Sequence, residues 1–194
     1  MIGVVLCGGQ SMRMGADKGL LKNETGVWAR IAFDKLAALN IPVRVSVNEN
    51  QFRGYAALFS AEELITDDIN FQIRGPLLGM ISTHLRYPAD AIFALACDMP
   101  LMEVSILRKL MNTFQEQKDA GACVYTSDGE AEPLCGIYKA DSIESILRMY
   151  ELGKLSKHSM KFMLDHINPH TIPLGADDKK FFRNFNSHAE LNGL

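Results

Sequence analysis

Tryptophan occurs once, cysteine four times and proline seven times in this chain of 194 residues. Seven prolines and 15 glycines are too few for a collagen-like or low-complexity chain. The cysteines, at 7, 97, 123 and 135, form no C-x-x-C pair and no zinc-like spacing, which excludes a zinc ribbon and predicts free, buried thiols in a reduced, cytoplasmic protein. A surplus of charge is missing too: the formal net charge of -3 leaves no basic field to hold a nucleic-acid backbone. No apolar run approaches the ~18 residues of a membrane span. Met1 to Leu6 is apolar, but Cys7-Gly8-Gly9 cuts it short and nothing basic precedes it, so no export signal is expected. What is there is a globular mixture, 47% hydrophobic and 22% charged, long enough to bury a core without staples. A single domain over residues 1–194 is the expectation.

Hydrophobic periodicity alternates between two kinds of element. Ile2 to Cys7 and Ala91 to Cys97 are continuous apolar runs, the pattern of parallel strands buried on both faces. Val43 to Val47 alternates, and Leu64 to Thr66 predicts a brief strand. Helical spacing of Trp28, Ala32, Leu36 and Leu39 predicts a helix stopped by Asn40 and Pro42. Gln51 to Phe59 reads as a short helical segment. Pro76 opens a helix carrying Leu77, Ile81 and Leu85, and Val104, Leu107, Met111 and Phe114 form another stripe. Strands are predicted at 122–126 and 134–138, a helix through Ile143, Ile146, Leu147 and Tyr150, and a last helix capped by Ser156 and reaching Leu164. The alternation predicts an α/β fold on a mostly parallel sheet, whose ligands bind beyond the carboxyl ends of the strands. The segments after Cys7, Asn48, Thr66 and Cys97 are therefore the places to look.

The first of these, Leu6 to Lys18, carries Gly8, Gly9 and Gly15 with Arg13 and Lys18. Glycines let backbone amides turn toward a ligand without Cβ interference, and two cations beside them suit a phosphate. It is neither a Walker A loop nor a G-x-G-x-x-G fingerprint, because the glycine spacing and the place of Lys18 differ. Asp98 follows the strand ending at Cys97, where a lone carboxylate suits Mg²⁺ shared with phosphates and water. A plain alternative is that Asp98 caps the next helix. His166 and His170 are four apart, but Pro169 between them breaks the helix that would align them on a metal. Near the C-terminus, Asn184 and Asn186 would share one face of an extended chain, with Phe181, Phe182 and Phe185 pinning it as a strand or strand edge.

Taken together these segments resemble a known family. Leu6-Cys7-Gly8-Gly9-Gln10-Ser11-Met12-Arg13-Met14-Gly15-Ala16-Asp17-Lys18 is similar to the LAGG-x-S-x-RMG-x-DK signature of the MobA-type molybdenum cofactor guanylyltransferases. Val47-Asn48, Thr66-Asp67-Asp68, Gly75-Pro76-Leu77-Leu78-Gly79-Met80, Cys97-Asp98-Met99-Pro100 and Phe182-Arg183-Asn184-Phe185-Asn186 resemble its later motifs. Two departures are Cys7 for the usual alanine and Gly26-Val27-Trp28 for the usual G-x-P turn. The resemblance implies a three-layer Rossmann-like nucleotidyltransferase fold. It also implies transfer of GMP from GTP to the phosphate of molybdopterin, with release of pyrophosphate. Arg13, Lys18 and Asp98 would be catalytic, and Asp98 would hold Mg²⁺. Leu6, Cys7, Gly8, Gly9, Gly15, Lys18, Asn48, Asp68 and Gly79 would bind the nucleotide, Asp68 being preferred to Asp67 by counting back from Gly75-Pro76. Asn184 and Asn186 would face molybdopterin. Transient contact with molybdenum-insertion or molybdoenzyme chaperone proteins is implied as well, with no nucleic-acid or membrane partner. The rival expectations are a relative that uses CTP or another phosphate acceptor, and a non-catalytic nucleotide-binding protein of molybdoenzyme assembly.

Overall fold

The computed structural model describes residues 1–8 and 17–185. Strand β1 (Ile2–Leu6) comes first, and a 3-10 turn at Lys18–Leu20 leads to a small hairpin of β2 (Lys22–Asn23) and β3 (Gly26–Val27). Then come α1 (Trp28–Ala37), β4 (Val43–Val47), α2 (Phe52–Tyr55), β5 (Leu64–Thr66), α3 (Pro76–Arg86) and β6 (Ile92–Ala96). The remainder is α4 (Val104–Glu116), β7 (Ala122–Ser127), β8 (Glu130–Tyr138), α5 (Ala140–Glu151), α6 (Met160–Leu164), β9 (Pro169–Pro173) and a 3-10 segment, Ala176–Phe182.

Seven of these strands make one sheet in the order β5-β4-β1-β6-β8-β7-β9. β5, β4, β1 and β6 pair in parallel, β8 runs against both β6 and β7, and β9 is parallel to β7. The strand alternation sorts the core into two layers. Val5, Phe93 and Leu95 join Phe33, Leu36, Leu107 and Leu110 of α1 and α4 on one face. Ile2, Val4, Leu6, Ile92 and Ala94 join Leu77, Met80, Ile81, Ile143, Ile146 and Met163 of α3, α5 and α6 on the other. This is the mostly parallel, three-layer arrangement expected. No helix among the described residues is long and apolar enough to cross a membrane.

Several local expectations change. β6 is parallel to β1 but antiparallel to β8, because β7 and β8 form a hairpin instead of a crossover. Asp128 (φ 52°) and Gly129 (φ 84°) make its tight turn, so β8 starts at Glu130 and not at Leu134. Ser159, not Ser156, caps α6, its hydroxyl accepting from the Phe162 amide at 3.1 Å. β9 is an edge strand that periodicity did not reveal; its terminal prolines are tolerated because one side of an edge strand needs no amide partner. Phe181 and Phe182 close the 3-10 segment where a strand was expected. Phe182 packs on Tyr125 at 5.2 Å between ring centroids, and Phe185 packs edge-on against Trp28 at 6.4 Å, so the C-terminal segment is still pinned to the body. The Gly26-Val27-Trp28 departure leaves α1 in place: it starts at Trp28, whose amide donates to the Leu21 carbonyl.

Candidate active site

Parallel pairing brings the carboxyl ends of β5, β4, β1 and β6 side by side. Cys7 donates its amide to Ser46 O at 3.0 Å, Cys97 to Leu6 O at 3.3 Å, and Asp67 to Val47 O at 2.9 Å. Residues 7, 48, 67 and 98, far apart in sequence, therefore emerge along one rim.

Asp98 leaves β6 at one end of that rim. The side chain is only 18% exposed, and Lys18 Nζ lies 3.3 Å from Oδ2. Its other oxygen, Oδ1, is buried with no hydrogen-bond partner among the described residues. Capping does not explain it, since α4 begins six residues later at Val104 with Glu103 in the cap position. A buried carboxylate oxygen without a partner costs about 1–3 kcal/mol or more, so a cation there would relieve a real penalty. The Asp98 carbonyl accepts from the Phe185 amide at 3.0 Å, which ties the C-terminal segment to the same loop. Lys35 Nζ donates to Pro100 O at 2.7 Å and fixes the loop's exit; burial lowers the Lys35 pKa despite the neighbouring Glu103.

Lys18 begins a 3-10 turn capped by Asp17, whose Oδ1 accepts from the Gly19 amide at 3.0 Å. Asp17 also accepts from the Tyr55 hydroxyl at 2.9 Å and from Gln51 Nε2 at 2.7 Å. Gln51 and Tyr55 belong to α2 and the turn before it, and sequence reasoning passed over both. Gln51 stands three residues after the strand-end Asn48, a capping distance that was a usable signal.

At the far end of the rim the structure puts Asp67, not Asp68, beside Gly8. A Cβ on Gly8 would lie 3.0 Å from Asp67 Oδ2. Burial pushes the Asp67 carboxyl up to about 6, partly offset by the Ser46 hydroxyl, which donates to Oδ1 at 3.2 Å. Asp68 instead accepts from the backbone and side-chain amides of Asn70 in a local turn, and its own amide donates to Ser82 Oγ. Counting back from Gly75-Pro76 missed this; taking the first residue after β5 finds Asp67.

Asn48 and Leu6 lie at the ends of β4 and β1, with Leu6 buried. Gly79 is buried inside α3, where a Cβ would collide with Ser46 Oγ, so helix-to-sheet packing requires glycine there. Cys7 and Cys97 are buried neighbours, and a hydrogen bond between them, then burial, drives the Cys97 thiol well above its ordinary pKa. Cys97 is therefore not disposed to nucleophilic chemistry. Asn184 is exposed, next to buried Phe185. Gly9, Arg13, Gly15 and Asn186 lie outside the described residues.

A glycine at one strand end, a lysine facing a largely buried aspartate, and a second carboxylate stand along the carboxyl ends of parallel strands, the edge where α/β proteins bind their ligands. Residues 3–168 match the MobA-like NTP transferase domain, and the chain belongs to that family of nucleotidyltransferases. It is 29% identical over 196 residues to a probable molybdenum cofactor guanylyltransferase of Geobacillus, covering 100% of this chain and 97% of that one. With the molybdenum cofactor guanylyltransferase of Campylobacter jejuni RM1221 it shares 28% over 189 residues, 96% of this chain and 91% of the relative. The crystal structure of molybdopterin-guanine dinucleotide biosynthesis protein A from Archaeoglobus fulgidus superposes with a TM-score of 0.77 at 19% identity, over 100% of this chain and 96% of that chain.

Proposed function

We propose that this chain transfers GMP from GTP to the phosphate of molybdopterin, acting as one domain over residues 1–194 in the cytoplasm. A phosphate oxygen of molybdopterin attacks the α-phosphorus of GTP in line, and the bond to the bridging oxygen of pyrophosphate breaks. Molybdopterin guanine dinucleotide and pyrophosphate leave. The observation that carries this reading is the meeting of Lys18 and Asp98 at 3.3 Å on a rim that also presents Gly8 and Asp67.

Little covalent chemistry falls to the protein in such a transfer; positioning and charge do the work. Lys18 offsets charge gathering on the α-phosphoryl oxygens and on pyrophosphate. A divalent cation, Mg²⁺ in this reading, suits Asp98, whose buried and unpartnered Oδ1 asks for one. When bound, it supplies positive charge against the α-phosphate. The amide of Gly8, with Leu6 and Asn48 beside it, lies where the guanosine part would enter. We assign to Asp67 the guanosine contact that the counting argument gave to Asp68: its carboxylate faces Gly8, while Asp68 turns one oxygen to Asn70. Arg13, Gly9 and Gly15 keep their expected roles toward the triphosphate. Asn184, and Asn186 two residues on, would face molybdopterin from a segment anchored to Asp98 through Phe185. Delivery and onward transfer of the cofactor would bring transient contact with molybdenum-insertion or chaperone proteins.

The test is incubation with each of the four nucleoside triphosphates, Mg²⁺ and molybdopterin, reading pyrophosphate and dinucleotide. Turnover with GTP alone is expected. Turnover with CTP and not GTP removes the guanylyl assignment, and binding without turnover favours the non-catalytic alternative.

A further inference from the structure

Gln51 engages both donors and the carbonyl oxygen of its side-chain amide. Its Nε2 donates to Asp17 Oδ2 at 2.7 Å and to Cys7 O at 3.0 Å, and its Oε1 accepts from the Asn48 amide at 3.0 Å. Asn48 Oδ1 returns the bond by accepting from the Gln51 amide at 3.1 Å. Cys7 and Asp17 bracket, in sequence, the segment that carries Gly8 at one end and leads into Lys18 at the other. One amide therefore bridges β1 where the segment leaves and Asp17 where it ends, and fixes both to the end of β4. From below, Tyr55 completes the clamp. Fully buried, it donates its hydroxyl to Asp17 Oδ1 at 2.9 Å, the oxygen that also caps Gly19. A Cβ on Gly19 would overlap that hydroxyl, so Tyr55 in this position requires glycine at 19.

The geometry points to Gln51, supported by Tyr55, as a positioning residue that sets Lys18 against Asp98 by holding Asp17. The inference rests on the guanylyl-transfer reading above, in which Lys18 and Asp98 are the working pair. It has a sharp chemical consequence. An amide at position 51 has two donors to give, whereas the nearly isosteric glutamate has none and would set a carboxylate against the Asp17 carboxylate. Misplacing a working group by an ångström costs about 10²-fold in rate.

Gln51→Glu is expected to lower kcat for dinucleotide formation by about 10²-fold with a smaller change in the KM for GTP. Tyr55→Phe, which keeps the ring, is expected to lower it by about 10-fold. The decisive measurement is a double-mutant cycle with Lys18→Ala in single-turnover format. If Gln51 acts through Lys18, Gln51→Glu removes less than about 3-fold in the Lys18→Ala background. Full, additive losses in that cycle overturn the proposal, as does a fall in melting temperature with kcat unchanged. Should Gln51→Glu fail to fold, the same cycle run with Tyr55→Phe decides. Amide hydrogen exchange at Gly19 reads the clamp without any turnover: faster exchange in Gln51→Glu than in wild type is expected, and equal exchange overturns the proposal. Wild-type protein that turns over no nucleotide removes the guanylyl-transfer reading instead, and the exchange result then judges the clamp alone.

Discussion

Asp67 carries a penalty that can be measured. Its carboxyl ordinarily titrates at 3.8, and burial raises it to about 6. A folded-state pKa above the unfolded one means that the protonated form is preferred in the fold. The associated stability is fully present below 3.8 and is lost as the pH rises through about 6. At 1.36 kcal/mol for each tenfold change in proton affinity, ionised Asp67 costs the fold about 3 kcal/mol at pH 8. Asp67→Asn removes the charge and keeps an acceptor for Ser46 Oγ, which bonds Oδ1 at 3.2 Å. The variant should match wild type near pH 4 and exceed its stability by about 2–3 kcal/mol at pH 8, read from urea midpoints at intervals between. Other titrating groups are common to both proteins and cancel in the difference. The same substitution should raise the KM for GTP about 10- to 100-fold, the worth of a charge-assisted hydrogen bond or two. A difference that stays flat from pH 4 to 8, or a variant less stable than wild type at pH 8, refutes the account of Asp67 as a strained carboxylate held for a ligand.

The other predictions concern the rim and the acceptor side. Asp98→Asn should lower turnover by about 10²-fold or more with the circular dichroism spectrum and melting temperature kept, because the carboxylate caps nothing; normal activity with normal Mg²⁺ dependence refutes it. Lys18→Ala should raise the KM for GTP and lower kcat together, since the ammonium meets charge present in GTP and growing in the transition state; a change confined to thermal stability would make the turn purely structural. Asn184→Ala, alone and with Asn186→Ala, should raise the KM for molybdopterin and leave GTP affinity nearly unchanged, and loss of GTP affinity would move these residues out of the acceptor site.

The elements that sequence reading found easily are those whose burial is symmetric. β1 and β6 are apolar on both faces, so their runs stand out without any knowledge of neighbours, and α1, α3 and α4 carry stripes that face one layer. β9 escaped because its residues are half-buried or exposed, and an edge strand bounded by prolines has no pattern to show. The start of β8 escaped for a related reason: Glu130 is exposed and Ala131 to Leu134 are only half-buried, so no apolar run announces it. The direction of β8 was open to local reading, since Asp128-Gly129 between two strand-like runs is a two-residue hairpin signal.

The site divides along the same physical line. Gly8, Lys18, Asn48 and Asp98, the candidates sequence reading puts forward, can be picked out because the backbone delivers them: each stands at or just beyond a strand end or in the segment that follows one, and the role proposed for each comes from residue type and place. Ser46, Gln51 and Tyr55 cannot, because each acts on a partner brought near only by folding. Gln51 meets Cys7 O across 44 positions of sequence and Asp17 across 34; Tyr55 meets Asp17 across 38. The choice between Asp67 and Asp68 shows what this distinction costs. Counting from a motif assumes a loop of fixed length, but the turn that Asp68 makes with Asn70 takes up chain without advancing it, and the carboxylate at the rim is the one chained directly to β5. If the proposed assignment to Asp67 holds, strand ends, which the hydrogen-bonded ladder fixes, are a firmer origin for choosing site residues in this fold than motifs across a loop.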